Sequence, residues 1–251
     1  MKHTIWGDYH THTTNSDGHG TLIQTLQAAD KVGLKQVGIT DHGLRHIARG
    51  MKLRDVDKMR RLMEQYKQDF AVECLLGIEA NVYSSDGLID LTPQEHDLFD
   101  YIVAGYHKAV WGKNLVDTFR YNVPALFANW KDYTDAQRRK YTKTMVAAVK
   151  SGKINILAHL NYGIPAFVKE VGKAAIDYDV YIELNGKRVN MTDDEVMTLY
   201  DMGVQFILSS DGHRPEKIGD VSVPLAVVER LNLDKSRIVN WEKLPDMTKK
   251  L

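Results

Sequence analysis

Short apolar and β-branched runs alternate along the chain with longer segments whose apolar positions recur at three and four. The runs His3–Tyr9, Lys35–Thr40, Val72–Ile78, Tyr101–Gly105, Ile154–Ala158, Val180–Leu184 and Val204–Ser209 predict strands. Leu22–Val32, Val56–Asp69, Ala166–Tyr178 and Asp193–Met202 predict helices with one core-facing side, each followed by Gly or a polar turn. Thr21 and Thr192 suit the N-cap, where a side-chain oxygen accepts an otherwise unpaired first-turn N–H. Repeated β-α-β order predicts a mostly parallel sheet with right-handed crossovers. Seven strands point to a distorted (β/α)7 TIM-like barrel, one strand short of the usual eight. A doubly wound open sheet has the same periodicity and stays open as the alternative.

One connection is longer than the rest. About 50 residues separate the fourth strand from the fifth, against about 25–40 for the other steps. The extra stretch, Val110–Ser151, carries Phe119, Tyr121, Phe127, Trp130 and Tyr133, and a helix near Ala136–Lys150. It is expected to form a helical insertion capping one barrel end, within a single domain spanning residues 1–251. Tyr83-Ser84-Ser85-Asp86-Gly87 has the make-up of a small hairpin turn, with Gly supplying the left-handed backbone.

Composition narrows the class. Lys plus Arg number 33 and so do Asp plus Glu, so no bulk basic excess is present to hold a long nucleic acid. At 43% hydrophobic and 26% charged, the 251 residues are not a disordered tail. The one cysteine, Cys74, lies in the apolar run Ala71–Leu76 and is expected to be a buried small hydrophobe. No run reaches transmembrane length and the start lacks a signal-peptide stretch, so a cytoplasmic protein with no membrane partner is expected.

The histidines are not scattered. Strand one runs into Asp8-Tyr9-His10-Thr11-His12, strand two into Asp41-His42-Gly43, and strand three into Glu79-Ala80-Asn81. Strand four runs into His107, strand five into His159, strand six into Glu183-Leu184-Asn185, and strand seven into Asp211-Gly212-His213. In a barrel those ends converge on one mouth, where such enzymes keep their active sites. His10 and His12 are two apart, so both imidazoles of an extended chain project to one side, and Asp8 has the parity to orient one of them. His10, His12, His42, His107, His159, His213, Glu79 and Asp211 are eight candidate ligands. Asp17 is a ninth, with His19 its rival. One zinc ion takes about four ligands, so the count implies two or three ions, with Glu79 and Asp211 suited to bridge. Nitrogen and oxygen donors without thiolate suit Zn, Mn or Fe(II). His3, His46 and His96 fall outside the strand ends and are expected to be ordinary packing or surface residues.

The combination of His10-x-His12, Ser16-Asp17-Gly18, Ile39-Thr40-Asp41-His42-Gly43, Gly77-Ile78-Glu79-Ala80-Asn81, Ala104-Gly105-Tyr106-His107, Ala158-His159 and Ser209-Ser210-Asp211-Gly212-His213 resembles the polymerase and histidinol phosphatase (PHP) family. The match runs in order from residue 8 to about 213, and the stand-alone phosphatases are more similar than the polymerase-attached domains. The resemblance implies a seven-stranded barrel, a two- or three-ion centre and phosphoester hydrolysis by a metal-bridging hydroxide. It implies that His10, His12, Glu79 and Asp211 hold one ion, and that Glu79, His107 and His159 hold a second. His42 and His213 hold the third with Asp17 or, alternatively, His19. Catalytic roles fall to Glu79, Asp211 and His213.

The expected substrate is a small phosphorylated molecule: a phosphomonoester such as histidinol phosphate, a nucleotide or a short oligonucleotide. Arg45, Lys108, Lys187, Arg188 and Arg214 are placed to meet phosphate oxygens, with Arg188 preferred for its bidentate fork. Two other readings compete. An amidohydrolase-type amide or lactone hydrolase also opens with HxH, but its usual bridge is a modified lysine where this chain offers Glu79 and His107. A non-catalytic metal-binding PHP module is the other, although the ligand set is unbroken.

Overall fold

Local signals set the element boundaries. In the computed structural model, which describes residues 5–47, 49–108, 110–119, 123, 133–151 and 153–247, Thr21 and Thr192 each close a reciprocal capping box with the residue three positions on. The main helices are α1 (Leu22–Lys31), α2 (Leu53–Tyr66), α3 (Asp135–Lys150), α4 (Val168–Asp177), α5 (Asp193–Met202) and α6 (Ser222–Arg230). The strands are β1 (Gly7–Asp8), β2 (Gln36–Ile39), β3 (Glu73–Asn81), β4 (Tyr101–Gly105), β5 (Ile156–Leu157), β6 (Tyr181–Asn185) and β7 (Phe206–Ser209). The Tyr83–Gly87 turn is a hairpin: Val82 bridges Ile89 antiparallel, and Gly87 takes φ +79°. Helix α6 is an element that the periodicity above does not predict.

All seven strands pair in parallel and in sequence order, which makes a nearly closed barrel rather than an open sheet. Closure between β1 and β7 is made just beyond the strands. Thr11 bridges Gly212, and His12 N donates to Gly212 O at 2.9 Å. Below that, the Asn240 amide donates to Gly7 O and Leu208 O, both at 2.7 Å, so one side chain stands in for the missing ladder. Asp8 adds a second stitch by accepting from Ser210 N at 3.0 Å and from the Ser210 hydroxyl.

Side-chain alternation decides which residues see the barrel axis. Leu75, Tyr101, Val103, Ile156, Ala158 and Ile207 point inward and pack with Tyr9, Val239 and Met247. Their neighbours Leu76, Ile78, Ile102, Ala104, Ile182 and Phe206 point outward into the helices. Tyr101 occupies the axis because Gly38 and Gly77 leave room; a Cβ on Gly77 would sit 2.6 Å from its ring, and one on Gly38 would overlap its hydroxyl. The inward parity that begins at Leu75 and Gly77 arrives at Glu79 at the mouth.

The long connection divides in two. Helix α3 packs along α4 on the barrel flank, and Thr144 Oγ1 donates to Ser85 O at 2.9 Å. It is the ordinary crossover helix of its step, which confines any cap to residues 110–134. Within that stretch Phe119 is exposed, and Tyr133 packs edge-on to Tyr141 and donates to Gly163 O. Tyr121, Phe127 and Trp130 lie outside the described residues. Among the described residues no helix is long and apolar enough to cross a membrane.

Candidate metal centre

Glu79, carried inward at the end of β3 and 1% exposed, is surrounded by imidazoles. Its Oε1 lies 2.7 Å from His159 Nε2, 3.0 Å from His107 Nε2 and 3.2 Å from His10 Nε2. Its Oε2 lies 2.7 Å from His42 Nδ1 and 3.6 Å from His12 Nε2. These five rings come from the ends of β1, β2, β4 and β5. His159 reaches inward from a left-handed backbone, φ +32°, and Asp211 has φ +51°. Such conformations cost a non-glycine residue about 1–3 kcal/mol and persist where surrounding structure holds them.

Asp211 closes the ring from β7, with Oδ1 3.3 Å from His12 Nε2 and 3.8 Å from His10 Nε2. Asp17 sits on the far side, with Oδ1 3.1 Å from His213 Nε2 and 3.4 Å from His42 Nε2. Of the two rivals, Asp17 is brought into the cluster, while His19 is exposed and lines a neighbouring cavity. Three donor groups result, each with one atom per residue lying within 4.8 Å of the others: His12, Asp17, His42 and His213; His10, His12 and Asp211; and His42, Glu79 and His107.

Buried carboxylates hold this cluster in place. Glu183 Oε1 lies 2.7 Å from His10 Nδ1, while its Oε2 accepts from His159 N and Asn185 Nδ2, both at 2.9 Å. The sequence offered Glu183 only as a strand-end residue, and its contact with His10 spans 173 positions. The orienting role expected for Asp8 is therefore corrected. Its carboxylate is taken up by Ser210, Gly219 N and the His10 backbone N–H, which leaves nothing for an imidazole. Asp41 accepts from Thr13 N (2.7 Å), Thr13 Oγ1 (2.6 Å) and Ser16 Oγ (2.5 Å), pinning the loop that carries Asp17. Asp90 does the same at β3, accepting from Asn81 N and Nδ2 and from Arg45 N.

The donor set fits divalent cations. His10 Nε2, both nitrogens of His12, His42 Nδ1, Asp17 Oδ1 and Glu79 Oε2 are buried and have no hydrogen-bond partner. Buried polar atoms are almost always satisfied, and six orphans converging on one spot call for a group that accepts lone pairs. Electrostatics agree. Burial pushes Glu79 up, yet His107, His10 and His42 outweigh it and hold the carboxyl well below its ordinary range. Burial pushes His42 down, but Glu79 and Asp17 lift it to about 10. His12, dominated by burial, falls to about 3.

The basic residues sort differently from the expectation. Lys187 Nζ lies 3.0 Å from Asp211 Oδ1 and 3.3 Å from His213 Nε2, at the rim of the cluster. Arg188 is exposed, and among the described residues it engages Asn185 Oδ1 and Asn190 Nδ2 through its backbone and not its guanidinium. Arg45 lies over the Tyr83 ring and Lys108 beside Gly163, while Arg214 borders the cavity at Asp211. His96 packs as expected, its Nε2 3.0 Å from Lys153 O. His46 is half-buried and stacks on His42 at 5.0 Å, a packing role of the kind expected. His3 lies outside the described residues. Cys74 is half-buried with its thiol pushed up to about 12, chiefly by burial, and is no nucleophile.

Comparison with known proteins follows the same lines. The family model of the PHP domain matches residues 8–187. A "Probable phosphatase" of Aliivibrio fischeri strain MJ11 is 27% identical over 244 residues, covering 92% of this chain and 88% of that protein. A "Probable phosphatase" of Proteus mirabilis strain HI4320 is 26% identical, covering 93% and 89%. Among solved structures, histidinol phosphate phosphatase from Lactococcus lactis, complexed with Zn, L-histidinol and phosphate, superposes with TM-score 0.62 at 15% identity, over 92% of this chain and 95% of that one.

Proposed function

The chain belongs to the PHP domain family, and from that premise we propose that it is a metal-dependent phosphoesterase acting on a small phosphomonoester. One observation carries the reading: a single buried carboxylate, Glu79, with five imidazole nitrogens within 3.6 Å of its two oxygens. The phosphatase names of the Aliivibrio and Proteus relatives support it. In this reading His10, His12, Glu79 and Asp211 would hold one ion, Glu79, His107 and His159 a second, and Asp17, His42 and His213 a third. Zn, Mn or Fe suits these donors. When bound, such ions supply an acidified water at neutral pH and neutralise charge that grows on the phosphoryl oxygens.

The chain's own residues do the rest. Glu183 accepts from His10 Nδ1, which fixes the tautomer and turns Nε2 toward Glu79 and Asp211. Asp41 keeps Asp17 at the cluster by holding its loop. Lys187, half-exposed at the rim with Nζ 3.0 Å from Asp211 Oδ1, brings an ammonium to the edge of the cluster where an anionic substrate enters. Glu79 and Asp211, each facing more than one imidazole, would be shared between ions, and His213, more exposed than Asp17 beside it, would face the incoming substrate. An amide or lactone hydrolase is disfavoured, since the carboxylate of Glu79 occupies the central position where those enzymes use a modified lysine. A non-catalytic module is disfavoured by the complete set of donors.

The test is hydrolysis of an aryl phosphate by purified protein supplied with Mn or Zn, followed by a panel of sugar phosphates, L-histidinol phosphate, nucleotides and short oligonucleotides. Turnover that chelation abolishes and metal restores is expected. Cleavage of amides or lactones with no phosphate release would overturn the reading.

A further inference from the structure

A cavity of about 430 Å³ adjoins the cluster on the β6–β7 side. Asp211 and His213 form the wall it shares with the candidate ligands, and His19, Lys187, Arg214, Lys217, Asp220 and Ser222 line much of the remainder. Volumes in this range hold a small metabolite. A phosphoester whose phosphoryl group lies against Asp211 and His213 has this void beside it for its other half.

The charges around the cavity are unequal in their commitments. Lys217 Nζ is held by Asp220 at 2.8 Å within one short turn, so that pair is close to self-neutralised. Lys187 faces Asp211 at 3.0 Å but keeps a half-exposed side chain, free to swing toward a second anion. Arg214 is exposed and makes no ion pair or side-chain hydrogen bond among the described residues. Its planar fork of donors matches a carboxylate or a phosphate and is otherwise unspent. Helix α6 begins at the same cavity, but Asp220 Oδ1 accepts from Ser222 N at 3.2 Å and offsets the partial positive charge of that end, which leaves Arg214 as the uncommitted cation.

We propose that this cavity is the leaving-group subsite, and that Arg214 with Lys187 selects phosphoesters whose leaving group carries a second anionic group, a carboxylate or a phosphate. The proposal rests on the phosphoesterase reading. The reaction is plain hydrolysis: water oxygen bonds to phosphorus, the ester P–O bond breaks, and the leaving oxygen takes a proton and departs as the alcohol. An amino-alcohol leaving group would bring a like charge to Arg214.

The experiment compares kcat/KM for 3-phosphoglycerate, glycerol 1,3-bisphosphate, glycerol 1-phosphate and L-histidinol phosphate at low and high salt, in wild type and Arg214→Gln. The two anionic esters are expected to exceed glycerol 1-phosphate by about tenfold, the scale of one charge-assisted contact. L-histidinol phosphate is expected to fall below it. The anionic advantage should shrink with salt and be largely lost in Arg214→Gln, mainly through KM. The ranking of the first two esters tells carboxylate from phosphate. In parallel, D-glycerate binding is followed by calorimetry on both proteins, which needs no turnover, and should weaken about tenfold in the variant. Hydrolysis without charge preference, or a preference that survives Arg214→Gln, overturns the subsite. Arg214-dependent glycerate binding with no ester hydrolysed overturns the phosphoesterase reading instead and leaves the anion site standing.

Discussion

Replacing Glu183 by Gln removes one negative charge at a point where two candidate ligands depend on it. The native carboxylate is an acceptor on both oxygens: Oε1 toward His10 Nδ1 at 2.7 Å, Oε2 toward His159 N and Asn185 Nδ2 at 2.9 Å each. A glutamine of the same shape has one oxygen and one NH2. If the oxygen faces His10, the NH2 opposes two N–H donors; if the amide flips, it opposes the Nδ1 proton of His10. Either arrangement loses at least one buried hydrogen bond to a charged group, worth about 1.5–3 kcal/mol. His10 also loses the acceptor that fixes its tautomer. Loss of such an outer partner typically lowers metal affinity about 10–100-fold, or about 1.4–2.8 kcal/mol. The assay is a competition titration with a chromophoric chelator, with turnover measured at saturating metal. An ion held through His10 or His159 should dissociate about 10–100-fold more readily, and excess metal should restore part of the turnover. Asp8→Asn provides the contrast. Asp8 ties β1 to Ser210 and Gly219, so its loss should lower Tm while affinity per folded molecule stays near wild type. Unchanged affinity in Glu183→Gln, or an equal loss of affinity in both variants, would refute the assignment of roles.

Other expectations follow from the same geometry. Glu79→Gln should lower the measured content of more than one ion, and cut hydrolysis by more than the roughly 100-fold of an outer-shell loss, with far-UV circular dichroism unchanged; full metal content by elemental analysis would contradict the bridging position. Without metal His42 is lifted to about 10, so at pH 7 it carries a proton that a bound ion must displace. Metal uptake should therefore release protons and weaken as pH falls, which calorimetry in two buffers of different ionisation enthalpy will register. Gly38→Ala should place a methyl on the Tyr101 hydroxyl and cost about 2 kcal/mol of stability, lowering Tm by about 4–8 °C without altering metal content at low temperature.

Much of this protein is legible in its sequence, because the informative interactions are local. Caps such as Thr21 and Thr192 depend on the next three residues, and the helical and extended periodicities on the nearest few. The order of strands and helices dictates a parallel sheet, and ligand-type residues at successive strand ends are dictated to share a mouth once that sheet curls. Strand parity alone sends His10 and His12 to one side. The rest was decided by contacts between distant positions. Whether the sheet closes depends on Asn240 and Asp8 reaching across β1 and β7, more than 200 positions apart. Asp17 rather than His19 enters the cluster because Asp41 pins the loop just before it, and Lys187 rather than Arg188 reaches the rim from a turn that Asn185 Oδ1 holds by accepting from both backbone N–H groups. Parity fails at His159, whose left-handed backbone turns it inward, and nothing in its neighbours announces that conformation. Glu183 orients His10 and Asp8 does not, although Asp8 is two residues away. A carboxylate serves whichever buried donor packing brings to it, and burial makes an unsatisfied donor costly enough to determine the choice.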